Sequence, residues 1–155
     1  MRLGLLLPQG YFNEFDGWRP DRAWARVVEV AREAERRGFD SVWLGEHVLA
    51  KWNDAETAFD CVTLAAAIAA AVPRVEIGFT VVNSTFRNPA MTAKMGATLQ
   101  YLTGGRFIMG IGAGWKEDEY RAYGYDYPAA GVRIDQLEEA VQIIRAMWTQ
   151  SQATF

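Results

Sequence analysis

Apolar runs without polar alternation recur four times along this chain, and each is followed by apolar positions at helical spacing. The runs are Leu3 to Leu7, Ser41 to Leu44, Val75 to Val82 and Phe107 to Ile111. Strands that read this way are covered on both faces, as in a parallel sheet. Pro8 ends the first run, and a loop with Gly10, Asn13, Asp16 and Gly17 follows. A helix then starts at Pro20, a proline suited to the first helical turn. Trp24, Val27, Val28, Ala31 and Ala34 form its inner face, and Gly38 stops it. The second run closes on Gly45-Glu46-His47. A loop through Lys51-Trp52-Asn53 leads to an alanine-rich helix from Phe59 to Ala71, closed by Pro73. The third run ends in Asn83-Ser84-Thr85, after which Asn88 caps and Pro89 opens a helix to about Tyr101. A last helix sets Leu137, Ala140, Val141, Ile144, Met147 and Trp148 on one face.

Four βα units in series predict an α/β fold, a parallel sheet wrapped by helices. If the strands add in order, right-handed crossovers put every helix on one side, and a (β/α)₈ barrel begins this way. The rival is a doubly wound open sheet, whose strand order reverses midway. Polar residues gather after every strand, at Gln9, Glu46-His47, Asn83 and Gly112 to Gly114. A barrel brings all those ends to one face, so the expectation is strand order 1-2-3-4 with helices on the convex side. No linker or low-complexity stretch divides residues 1–155, which read as a single domain.

Arg106 to Tyr120 carries the most chemistry. The strand loses its side chains at Gly110, Gly112 and Gly114, then enters the acidic turn Lys116-Glu117-Asp118-Glu119. Bare backbone beside a helix N-terminus admits a flat or anionic ligand. The dinucleotide fingerprint G-x-G-x-x-G fails, because its third glycine falls on Trp115. The loop reads as cofactor-facing without being a Rossmann phosphate turn.

Composition narrows the partners. Sixteen basic and 19 acidic side chains give a net charge of −3 with no basic stripe, which argues against nucleic acid. The apolar N-terminal stretch is too short for a signal peptide or a membrane span. Cys61, the one cysteine, forms no internal disulfide, so a reducing cytoplasm is the expected compartment. It sits in an alanine-rich helix and reads as a small core residue. No CxxC, HExxH or carboxylate cluster supports a metal site.

Asp40-Ser-Val-Trp-Leu-Gly-Glu-His47, Asn83-Ser-Thr-Phe-Arg-Asn-Pro-Ala90 and Leu102 to Tyr120 resemble the luciferase-like flavin-dependent oxidoreductases. The resemblance is strongest to the branch that uses the deazaflavin coenzyme F420. It implies a (β/α)₈ barrel about twice as long as this chain, of which these residues are the N-terminal half, strands one to four with outer helices. It also implies hydride transfer between coenzyme F420 and a small organic substrate. FMN-dependent monooxygenation on the same barrel is the alternative, and a non-catalytic truncated fragment that binds a ligand or partner is another. Four units cannot close a barrel, so the chain alone is expected to associate through its edge strands as a homo-oligomer, most simply a dimer, or to aggregate, and to bind the deazaflavin weakly or not at all.

His47 is the one histidine and follows an apolar strand. An imidazole takes or gives a proton near neutral pH, and the resemblance makes His47 the catalytic residue beside the cofactor ring. Glu46 falls where the family carries a cofactor-contacting aspartate, one methylene shorter. Thr80-Val81 matches a strand-three bulge at which relatives carry a non-prolyl cis peptide behind the ring. Asn83 matches a ring-edge hydrogen-bonding position, Ala113-Gly114 offers backbone groups, and Asp118 lies where sugar-phosphate dehydrogenase members have asparagine. Those members place a catalytic glutamate where this chain has Trp115. A tryptophan exchanges no proton, so the resemblance extends to the cofactor class and not to that mechanism. Glu117 or Glu119 is the alternative source of that missing carboxylate, but both read first as acids favourable in a first helical turn. Arg87 reads equally as an anion contact and as a solvated loop residue.

Overall fold

The computed structural model describes residues 1–49 and 58–155, so the loop expected through Lys51-Trp52-Asn53 lies outside the described residues. Strand β1 (Gly4–Leu6) pairs in parallel with β2 (Ser41–Leu44), which pairs with β3 (Glu76–Phe79). The third and fourth apolar runs each split in two. Beyond β3 lies β4 (Val82–Asn83), and beyond β5 (Phe107–Ile108) lies β6 (Ile111–Gly112). β3 pairs with β5, and β4 with β6, all in parallel. The main sheet therefore runs β1-β2-β3-β5, the sequential order of a barrel's first four strands.

The cis Thr80–Val81 peptide lies between the two halves of the third strand. Opposite it, a Cβ at Gly110 would run into the carbonyl oxygen of Phe79, and one at Gly112 would lie 2.7 Å from Val81 Cγ2. Two of the three loop glycines thus serve the close approach of neighbouring strands, before any ligand is considered.

The helices cover the outer face of the sheet, while the inner face is covered only in part, with Leu6 of β1 exposed. On the outer face Val42, Leu44, Ile77 and Phe79 are buried beneath helices α1 (Pro20–Arg36), α2 (Cys61–Ala71) and α3 (Pro89–Leu102). On the inner face the indole of Trp43 lies across Gly4 and Gly78 of the flanking strands, and its Nε1 donates to Ser41 Oγ at 2.8 Å. One large ring on two glycines fills a width that ordinary side chains would share.

The helices pack in chain order, α1 on α2, α2 on α3, and α3 on α5 (Ala130–Thr149). α1 presents Ala23, Val27, Ala31 and Ala34 at helical spacing, and Gly38 follows its end with φ +82°. Asp60 caps α2 by accepting from Thr63 N–H at 2.7 Å, and Asn88 caps α3 through Ala90 N–H at 2.9 Å. A short helix α4 (Glu117–Ala122) follows the fourth strand. In α5 the expected apolar face is only partly buried: Ala140 and Ile144 are covered, while Met147 and Trp148 stay exposed. Trp148 reaches α3 by one edge, donating Nε1–H to the Ala93 carbonyl at 2.9 Å. No described helix is long and apolar enough to cross a membrane.

Candidate active site

The four strand ends converge on a cavity of about 460 Å³, lined among others by Leu6, Tyr11, His47, Val81, Ala113 and Trp115. A larger hollow of about 570 Å³ opens between α3, β5 and α5. Gly96, Phe107, Met109 and Trp148 line it, and it carries none of the strand-end acid–base groups.

Two amides and two acids brace the strand ends. Gln9 is fully buried and grips Gly45 at both ends: its Nε2 donates to the Gly45 carbonyl at 3.0 Å and its Oε1 accepts from Gly45 N–H at 2.8 Å. Glu46 accepts from the Asn83 N–H at 2.6 Å and is paired with the Arg87 guanidinium. Arg87 also reaches Asp60 at 3.4 Å, so its anion contact is internal to the protein. Glu46, Asp60 and Cys61 lie together, but that guanidinium already supplies their positive charge. Burial and then the neighbouring Glu46 and Asp60 push the Cys61 thiol up, away from the thiolate a metal needs.

His47 stands in an aromatic setting, with Tyr11 at 5.0 Å and Trp115 at 6.1 Å between ring centroids, both edge-on. Burial, followed by the charge of Glu14, pushes the Tyr11 hydroxyl up to about 12, so it stays protonated. The Nδ1 of His47 lies 3.0 Å from Glu119 Oε1. That oxygen also accepts from the Val48 and Leu49 N–H groups, at 3.2 and 3.3 Å, and from Lys116 Nζ at 3.3 Å. Burial pushes the Glu119 carboxyl up, yet the His47 hydrogen bond and charge, the Leu49 N–H and Lys116 outweigh it and hold the group below the usual carboxylate range.

The structure brings most of the expected residues to one cavity and assigns several of them prior engagements. Glu46, His47, Thr80, Val81, Asn83, Ala113 and Gly114 all line it. The Asn83 amide, expected at a ring edge, is turned onto protein. Its Oδ1 accepts from Thr85 N–H at 3.1 Å, and its Nδ2 donates to the Tyr120 hydroxyl at 2.8 Å. Tyr120, Arg133 and Tyr127 donate to the carbonyls of Ala113, Gly114 and Trp115, at 3.3, 3.4 and 2.9 Å. What the loop offers a ligand is its N–H groups and bare surface. Asp118 departs from expectation: on the first turn of α4 it is exposed to solvent and outside the cavity lining, while Glu119, one position on, faces inward. The sequence offers Glu119 only as an alternative to the glutamate absent at position 115 and gives no sign of Tyr120, but both lie on the buried side of α4, where the helical period separates them from Asp118.

The chain belongs to the luciferase-like monooxygenase family, whose model matches residues 1–155. It is 36% identical over 130 residues to an F420-dependent glucose-6-phosphate dehydrogenase of Amycolatopsis mediterranei, covering 83% of this chain and 39% of the relative. The Kineococcus radiotolerans enzyme of the same name is also 36% identical, over 98% of this chain and 44% of its own length. This chain therefore spans well under half the length of the relatives it matches. Among solved structures, an F420-dependent secondary alcohol dehydrogenase in complex with an F420-acetone adduct superposes with a TM-score of 0.82 at 28% identity, over 99% of this chain and 44% of that one. The oxygenating constituent of 3,6-diketocamphane monooxygenase from Pseudomonas putida, in complex with FMN, shares the fold, with a TM-score of 0.78 at 23% identity and cover of 99% and 41%. The architecture is that of the N-terminal half of a (β/α)₈ barrel.

Proposed function

We propose that the cavity is one half of an oxidoreductase site in which coenzyme F420 exchanges a hydride with a small organic substrate. The supporting observation is the meeting of His47, Thr80–Val81 and the Ala113–Gly114 loop at the strand ends. Leu6 and Val81 expose 47 and 45% of their surface at these ends, an apolar support for a flat ring, and the Gly112–Gly114 backbone stands beside it. These residues fit a deazaflavin ring. When bound, the deazaflavin supplies the hydride donor or acceptor.

The chain's own residues do the rest. His47 moves the proton at the substrate oxygen as that oxygen changes between hydroxyl and carbonyl. Tyr11 and Trp115 stand edge-on to the imidazole and limit how its ring can turn. Glu46 and Gln9 hold the strand ends in place without offering a free polar atom of their own. Copies of the chain associate, because β1 and β5 stand at the edges of the four-stranded sheet.

The test is an absorbance titration of the protein with coenzyme F420 and, in parallel, with FMN, followed by a panel of small alcohols on the F420-loaded sample. Preferential binding of F420 and bleaching of its oxidised band by an alcohol support the proposal. Preferential binding of FMN would move the function to oxygen activation, and binding of neither would leave a non-catalytic fragment.

A further inference from the structure

Glu119 Oε1 accepts from two backbone amides and an ammonium group, and the imidazole Nδ1 of His47 lies 3.0 Å from it. An oxygen so surrounded is that of an ionised carboxylate, which only accepts. The Lys116 ammonium and the two amide N–H groups stabilise that charged form. Facing such an oxygen at 3.0 Å, Nδ1 of His47 must carry a hydrogen. In a neutral imidazole the second nitrogen is then the one with a lone pair.

We propose that Glu119 is the positioning residue for His47: it keeps the ring proton on Nδ1, so that Nε2 is the nitrogen that meets the substrate's proton. The proposal rests on His47 being the proton-handling group of the site. The two residues come from different βα units, His47 after β2 and Glu119 from α4 after β6, so the pair ties two strand ends together across the cavity. Glu119 is only 3% exposed, and its backbone donors Val48 and Leu49 immediately follow His47. The acid thus fixes both the ring and the chain that carries it. Lys116, one turn before Glu119, keeps the carboxylate charged, and the protonated Tyr11 hydroxyl adds no competing negative charge.

Nitrogen-15 NMR of the labelled histidine tests this directly, because the chain has one histidine and its two ring signals cannot be confused. Read where the neutral ring is populated, the wild-type protein should favour Nδ1–H over Nε2–H by about tenfold or more, as a charged hydrogen bond sustains. Glu119→Ala should shift the ratio towards the Nε2–H form that a free imidazole prefers. Glu119→Gln, which keeps an acceptor oxygen, should restore Nδ1–H. A wild-type ring that is mainly Nε2–H would overturn the proposal, as would a folded Glu119→Ala protein with the wild-type ratio. If Glu119→Ala fails to fold, the wild-type spectrum and the glutamine variant decide alone. No cofactor enters the measurement. Failure of F420 to bind would therefore sink the functional reading and leave the tautomer standing, and the reverse holds equally.

Discussion

The helical side and the cavity end of this sheet bury their residues equally deeply and hold them by different forces. Against the helices, Val27, Ala31, Val42, Ile68 and Ile77 pack by shape and area. At the strand ends the buried residues include Gln9, Glu46, Asn83 and Glu119, each hydrogen-bonded to a group far away in sequence. Truncating an apolar side chain on the first side leaves a void. Removing a polar partner on the second leaves an unpaired group, which costs more than the bond itself supplied. The candidate site is thus stiff before any ligand arrives, because its polar atoms are engaged with one another.

The largest effects should show whether the two sides are comparable in strength. Phe79→Ala removes a buried ring packed on Phe107 at 5.1 Å and should cost about 3–5 kcal/mol in urea unfolding. Glu46→Ala strips Arg87 of its buried partner and the Asn83 N–H of its acceptor. Arg87 keeps Asp60, so the cost should fall at about 3 kcal/mol, the lower end for a broken buried pair. A Glu46→Ala protein as stable as wild type would show that the cavity end is held by packing after all.

A smaller effect separates the sides by pH. The Glu119 carboxyl titrates lower in the folded chain than in the unfolded one. Its contribution is therefore fully present above the ordinary glutamate value, about 4.3, and is lost as pH falls through the depressed folded value. Unfolding midpoints measured downwards from neutral pH should fall more steeply for wild type than for Glu119→Gln, which has no carboxyl to protonate. Parallel curves would mean that Glu119 is not the charged hub its hydrogen bonds describe. Phe79→Ala should lower the midpoint without altering its pH dependence, since no charge is removed.

The same division explains how much of the molecule is legible in its sequence. Elements built on local rules are: Pro20 opens α1, Gly38 ends it, and Asn88-Pro89 starts α3. The alternation of units leaves the barrel and the doubly wound sheet both open, and only the polar residues after each strand favour the sequential order found. The gathering of polar residues after each strand points to His47 and Ala113-Gly114, and the family resemblance adds Thr80-Val81; all of them line one cavity. Their partners stay hidden, because a residue's type does not reveal a hydrogen bond 72 positions away, as between His47 and Glu119. The glycine run misleads for the same reason: Gly110 and Gly112 read as room for a ligand, and the structure fills that room with Phe79 and Val81. Met147 and Trp148 mislead in the opposite direction, since helical period puts them on an inner face that no described element fully covers.

The smallest effect is a control on the helical side. Gly131 is the second residue of α5, and a Cβ built there meets no atom within 4 Å. Its φ is not in the left-handed region, so alanine fits the backbone as it stands. Gly131→Ala should then stabilise the chain by about 0.5 kcal/mol, through lower entropy in the unfolded state and better helix propensity. Calorimetry should show a slightly raised Tm, and the His47 ring signals should not move. A destabilised variant would mean that even this open position answers to distant partners, and the contrast between a locally governed helical side and a remotely governed cavity end would fail at its simplest point.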